Sequence, residues 1–121
     1  SGIVFLTNIS NEDIIAFYKN ASIAVYPSIA EGFGIPPLES AILKTKTLCS
    51  NATAMADFTF FGDNLFNPEN LEELKNKISL NLKLNIIDTV AVSEIIRKKY
   101  NWKNISAEFS NHVQSKFQSF I

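Results

Sequence analysis

Tyr26-Pro27-Ser28-Ile29-Ala30-Glu31-Gly32-Phe33-Gly34-Ile35-Pro36-Pro37-Leu38-Glu39 is the stretch on which the reading of this chain turns. Before it, Ser22 to Tyr26 has the β-branched, apolar character of a buried strand. After it, Pro36 suits the first position of a helix that reaches about Lys44. Pro27 to Gly34 is then the loop between them. A strand's carboxyl end meeting a helix's amino end is where parallel α/β sheets bind their ligands. Gly32 and Gly34 leave backbone amides uncovered and tolerate positive φ, so a ligand can approach the chain closely. The helix amino end adds free N–H groups and positive dipole, which suits a phosphate.

Glu31 lies in the loop and Glu39 about one turn into the helix, from which its side chain leans back toward the same crevice. An ionised carboxylate only accepts hydrogen bonds, so it suits sugar hydroxyls better than phosphates. A diphosphate on the amides with hydroxyls at each carboxylate describes a nucleotide-sugar. Taken singly, Glu31 reads as a solvated loop residue and Glu39 as an exposed helix residue. It is the Gly-Phe-Gly turn between them that favours the functional reading.

Working outward, Ile3 to Leu6 reads as another buried strand. Ser10 with Asp13 starts a helix over about Asn11 to Asn20, with Ile14, Ile15 and Tyr18 on one face. Thr47 to Ser50 and Leu65-Phe66 read as further strands, and Asn67-Pro68 as an N-cap followed by an N1 proline. Leu71, Leu74, Ile78 and Leu82 mark a helical core face; Asp88 caps a helix carrying Val92, Ile95 and Ile96. Asn101 caps a last one carrying Trp102, Ile105, Phe109, Val113 and Phe117. Met55 and Phe58-Phe60-Phe61 read as packing. Strands alternating with helices imply an α/β fold, a Rossmann-like parallel sheet flanked by helices.

The 121 residues suffice for one domain and carry a formal net charge of -1. That charge, with no concentrated basic face, argues against nucleic acid as a partner. Arg97-Lys98-Lys99 reads as a solvated helix end. No segment approaches the ~20 apolar residues of a membrane span. Cys49, the single cysteine, lies in an apolar run and reads as a small core residue of a reducing compartment. His112 has no metal-ligand companion, so no metal site is expected. The address expected is the cytoplasm, with the whole protein peripheral to the inner membrane. A start on Ser1 reads as a boundary inside a longer protein.

The stretch from Glu31 to Glu39 resembles the Glu-x7-Glu motif of the retaining GT-B glycosyltransferases of family 4, the glycosyl transferases group 1. That family typically shows Pro-Ser, a few residues, then Glu-Gly-Phe-Gly-Leu-Pro-x-Leu-Glu. The resemblance runs through the chain in family order. Val4-Phe5-Leu6 with Ile9 to Asp13, Ala21 to Ser28, Ser50-Asn51, Leu65 to Leu74 and Tyr100-Asn101-Trp102 each resemble a family segment. It implies that residues 1–121 are part of the C-terminal, nucleotide-sugar-binding domain. The N-terminal acceptor domain and the start of the C-terminal domain, which carries an arginine and a lysine that grip the diphosphate, would lie outside the chain. It implies a hexosyl transfer that keeps the anomeric configuration. The donor would be a UDP-, GDP- or ADP-linked sugar, and the glycan or lipid-linked acceptor would be held by the N-terminal domain.

Carried over by residue, the resemblance makes Glu31 the catalytic-site contact to the transferred sugar and Glu39 the ribose contact. The backbone of Gly32, Phe33, Gly34 and Ile35 would hold the sugar and diphosphate, and the turn at Asn8 and Ile9 would lie near the base. No metal or other cofactor is implied, and catalysis rests on positioning and electrostatic stabilisation. Three positions depart from the pattern: Thr7 stands where glycine is frequent, Lys44-Thr45-Lys46 where Gly-x-Pro follows the helix, and Met55-Ala56-Asp57 where Leu-Pro-Glu is common. Two other readings compete with the enzyme. A non-catalytic nucleotide-binding or assembly module would keep the fold without the chemistry, and an α/β regulatory domain would bind no nucleotide.

Overall fold

The computed structural model describes residues 2–101. The expected helix that Asn101 would cap, with His112, lies outside them. Along the chain run α1 (Asn11–Asn20), β1 (Ala24–Tyr26), α2 (Ile35–Ile42), β2 (Thr47–Ser50), β3 (Leu65–Phe66), α3 (Leu71–Lys83) and α4 (Thr89–Lys99), with 3-10 segments Thr53–Asp57 and Thr59–Asn64 after β2. The strands pair in parallel in the order β1-β2-β3, with Val25 opposite Leu48 and Cys49 opposite Leu65. This is the Rossmann-like α/β arrangement that the alternation of elements predicts.

β2 is the hub. All of Thr47–Ser50 is buried, because a central parallel strand has neighbours on both edges and cover on its faces. The core joins Cys49 to Leu38 and Ala41 of α2, Val92 and Ile96 of α4, Met55 and Phe61 of the 3-10 segments, and Phe58 between those segments. Cys49 is a core residue, as its apolar setting predicts; burial, then the nearby Glu31 carboxylate, pushes its thiol up to about 12. Phe58 centres the aromatic packing, in contact with Phe33, Phe60, Phe61 and Tyr100.

The helix ends follow capping chemistry. Ser10 accepts from the amide of Asp13, and Asp88 from those of Val90 and Ala91, as expected. Asn67 is not the cap of α3. Its side chain accepts from Glu69 N–H in a local turn, and Asn70 takes the cap by accepting from Glu73 N–H. α2 ends at Ile42 rather than Lys44: Thr45 N–H returns to Ser40 O and Lys44 N–H to Ala41 O, with Lys44 at φ 64. This left-handed closure is the task a glycine usually performs.

Four apolar segments differ from expectation. Ile3 to Leu6 forms no strand, and its side chains stand 50–89% exposed. Strand propensity describes a surface that suits a pleated, covered setting, and here no ladder bonds join the run to β1. In α3, Leu71 and Leu82 face solvent while Asn81 is buried. Asn81 exchanges amide hydrogen bonds with buried Asn64, at 3.0 and 3.1 Å, so a satisfied polar pair occupies a position an apolar stripe would have claimed. In α4, Val92, Ser93 and Ile96 are buried and Ile95 is exposed, because Ser93 reaches Ile42 O at 2.8 Å. Ile14 and Tyr18 are half-buried, Ile15 is exposed, and α1 buries no residue fully.

Candidate functional site

The loop from β1 to α2 lies at the carboxyl edge of the sheet, beside the chain that leaves β2. Gly34 joins loop to helix at φ 91 and ψ 45. A Cβ there would lie 2.8 Å from Met55 Cγ and 2.9 Å from Phe58 Cε2. Backbone conformation and packing therefore both require glycine. Gly32 does not use its tolerance of positive φ: only Gly34 and Gly62 adopt it among the described glycines, and a Cβ on Gly32 would meet nothing within 4 Å. Its small size leaves open space on the loop's outer side.

α2 opens without a side-chain cap, whereas α1, α3 and α4 each have one. Pro36 and Pro37 carry no N–H. Among the described residues the amides of Gly32, Phe33, Gly34 and Ile35 find no protein acceptor. Uncompensated donors and the positive end of the helix dipole thus meet at one exposed turn. Phe33 fixes that turn from the side, packing edge-on against Tyr100 at 5.6 Å and Phe58 at 6.2 Å between ring centroids.

Glu31 is half-buried and held at three points. Ser28 Oγ donates to Glu31 Oε1 at 3.0 Å. Glu31 N–H donates to Thr53 Oγ1 at 3.0 Å, and Thr53 Oγ1 returns a hydrogen bond to Glu31 O at 3.3 Å. One hydrogen bond to Oε1 leaves the carboxylate with free acceptor capacity.

Glu39 is exposed and has a different neighbourhood. It lines an open groove of about 470 Å³ with Asn11, Ile14, Tyr18 and Ile42 of the facing helices. It also borders a smaller one of about 210 Å³ with Ile35, Leu38 and Tyr100. Near it the Tyr26 hydroxyl is shielded from solvent; burial raises its pKa above the usual phenol value, the Ser40 hydroxyl works against that rise, and Tyr18 and then Glu39 add to it. Glu39 thus sits on the α1 side of α2, and among the described residues no hydrogen bond joins it to Glu31. Asn8, at φ 54, and Ile9 form the exposed bend that leads into α1. Among the described residues no hydrogen bond ties either to the motif loop.

Lys44 and Lys46 do not approach this turn. They line a separate groove of about 700 Å³ with Tyr18, Lys19 and Ile86, and Lys46 Nζ is engaged by the carbonyls of Asn81 and Leu84. Thr53 is the contact that reading the sequence missed, since nothing in Asn51-Ala52-Thr53 marks a hydroxyl that reaches back 22 residues. Among the described residues no group of His, Cys, Asp and Glu could hold a metal ion, and no helix is long and apolar enough to cross a membrane.

A strand-loop-helix junction with unpaired amides, an open glycine and a pinned carboxylate stands at the edge of a Rossmann-like sheet where α/β folds place their ligands. Residues 1–101 match the family described as Glycosyl transferases group 1, and the chain belongs to that family. It is similar to the Serotype-specific mannosyltransferase WbdA of Escherichia coli, 35% identical over 75 residues, which covers 62% of this chain and 9% of that protein. O-antigen chain mannosyltransferase B of Escherichia coli is 26% identical over 109 residues, covering 88% of this chain and 29% of the relative. O-antigen chain mannosyltransferase RfbU of Salmonella typhimurium is 32% identical over 87 residues, covering 64% and 25%. The chain therefore spans less than a third of the length of these relatives. No solved structure matches it.

Proposed function

We propose that this chain is the donor-binding part of a retaining glycosyltransferase that transfers a hexose from a nucleotide-sugar to a polysaccharide acceptor. Mannose is the sugar this reading favours, since the relatives above are mannosyltransferases of O-antigen chains. The observation that carries the proposal is the uncapped start of α2: unpaired amides from Gly32 to Ile35, with Glu31 pinned beside them. Such a turn is complementary to a diphosphate, and the adjacent carboxylate to hydroxyls of the transferred sugar. Glu39 takes the ribose hydroxyls from its groove, and the bend at Asn8 and Ile9 lies toward the base. In the step itself the bond from the anomeric carbon to the leaving phosphate breaks and a bond to the acceptor hydroxyl forms on the same face. The acceptor's proton passes to a phosphate oxygen. Amides of the turn stabilise the charge growing on the diphosphate, with a basic pair outside this chain, so no metal is called for. The acceptor belongs to a further domain of the whole protein, working at the cytoplasmic face of a membrane.

The complete gene product should transfer mannose from GDP-mannose to its glycan acceptor. Glu31→Gln should lower kcat about a hundredfold, the scale of a lost transition-state contact. Equal turnover by the variant would remove Glu31 from the reaction.

A further inference from the structure

Thr53 combines two properties that are not expected together in a threonine on an exposed loop. It is β-branched, yet it adopts φ 50, a left-handed conformation in which such a side chain is a true outlier. No sheet ladder holds it there, for it opens the 3-10 segment that follows β2. Its hydroxyl, however, is used twice on a single residue: it accepts from Glu31 N–H at 3.0 Å and donates to Glu31 O at 3.3 Å. With both backbone groups of Glu31 tied to one side chain, the peptide planes on either side of it lose their freedom to rotate. Ser28 Oγ, bonded to Glu31 Oε1 at 3.0 Å, then fixes the direction of the carboxylate. A strained residue whose hydroxyl is bonded twice to a site residue fits the pattern of strain held at functional sites.

We propose that Thr53 is a positioning residue: its hydroxyl sets the place and orientation of Glu31 for the transfer step. This rests on the role proposed above for Glu31, and it concerns the loop after β2, which makes no contact with substrate in this account. Displacing a carboxylate by a fraction of an ångström costs more in the transition state than in ground-state binding, so the effect falls on kcat. Threonine is needed here only for its hydroxyl. The backbone at this position would be easier for glycine, which separates the positioning role from a role in stability.

Kinetics and thermal melting of the complete gene product test this with four variants, using GDP-mannose as donor. Thr53→Val keeps the shape and loses the hydroxyl, Thr53→Ser keeps the hydroxyl, Thr53→Gly loses the hydroxyl but relaxes the backbone, and Glu31→Gln reports the site itself. The expected result is a kcat about tenfold lower in both Thr53→Val and Thr53→Gly, with donor KM within about threefold of wild type. Thr53→Ser should restore kcat to within about twofold, and Thr53→Gly, in which relief of the left-handed backbone offsets part of the lost hydrogen bonding, should melt no lower than Thr53→Val while remaining as slow. Wild-type kcat in Thr53→Val and Thr53→Gly, beside a slow Glu31→Gln, would overturn the positioning role and leave Glu31 in place. Activity that follows melting temperature across the Thr53 variants would also overturn it, in favour of a purely structural threonine. Unchanged turnover in Glu31→Gln would overturn both readings together.

Discussion

The two halves of the stretch from Ser28 to Ala41 use their residues in opposite ways. Residues 28–33 stand open or half-open, and what holds them is polar: Ser28 to Glu31, Glu31 to Thr53, and one aromatic edge from Phe33. From Gly34 to Ala41 the chain turns inward, and Gly34, Pro37, Leu38, Ser40 and Ala41 are buried against the core. In the inner half these five residues pack against the core, while Ile35, Pro36 and Glu39 stay exposed. In the outer half backbone donors and a carboxylate retain unused bonding capacity, which is what a binding site requires. The two glycines show the difference most clearly, since the fold demands Gly34 and leaves Gly32 free.

Substituting the glycines should break this contrast apart. Gly34→Ala combines a left-handed backbone penalty of about 1–2 kcal/mol with a clash against Met55 and Phe58 that adds about 1–3 kcal/mol. Its urea midpoint should fall accordingly, and any loss of activity should follow the loss of fold. Gly32→Ala should leave the midpoint unchanged and weaken donor binding about tenfold, because its methyl occupies space that the ligand needs. Titration calorimetry beside urea unfolding separates the two; a Gly32→Ala protein that binds normally would place the ligand elsewhere.

The buried side can be tested by pH. Cys49 keeps its proton to about 12 when folded, while in the unfolded chain the thiol ionises near 9.0. The folded state therefore binds that proton more tightly, and its stability is complete below the unfolded value and falls as pH rises toward 12. Tyr26 is shifted in the same direction. The unfolding free energy should decline from pH 8 to 10 by an amount on the order of 1 kcal/mol, and Cys49→Ala should reduce that slope at the cost of a small cavity.

What could be read in the sequence was mainly local chemistry. Ser10 and Asp88 have side chains one turn from the amides they cap, and the apolar run around Cys49 has no other setting than a covered strand. The glycine turn was legible because its residue types are rare in any other role. What escaped needed partners distant in sequence. Asn81 is buried because Asn64 answers it, and Thr53 matters because Glu31 lies across the loop. Asn67 and Asn70 are both good caps by type, and only the path of the chain chose between them. Ile3 to Leu6 shows the limit of apolar pattern: it signals a surface fit for burial without naming what covers it.

Ligand-observed NMR of the complete gene product tests whether the loop from Glu31 to Glu39 is a nucleotide-sugar site. GDP-mannose, UDP-glucose and ADP-glucose would be presented to wild type and to Glu39→Ala. Saturation transfer to one nucleotide-sugar is expected on ribose and hexose protons alike, with the ribose signals lost in Glu39→Ala. Undiminished transfer to ribose in that variant would contradict that assignment.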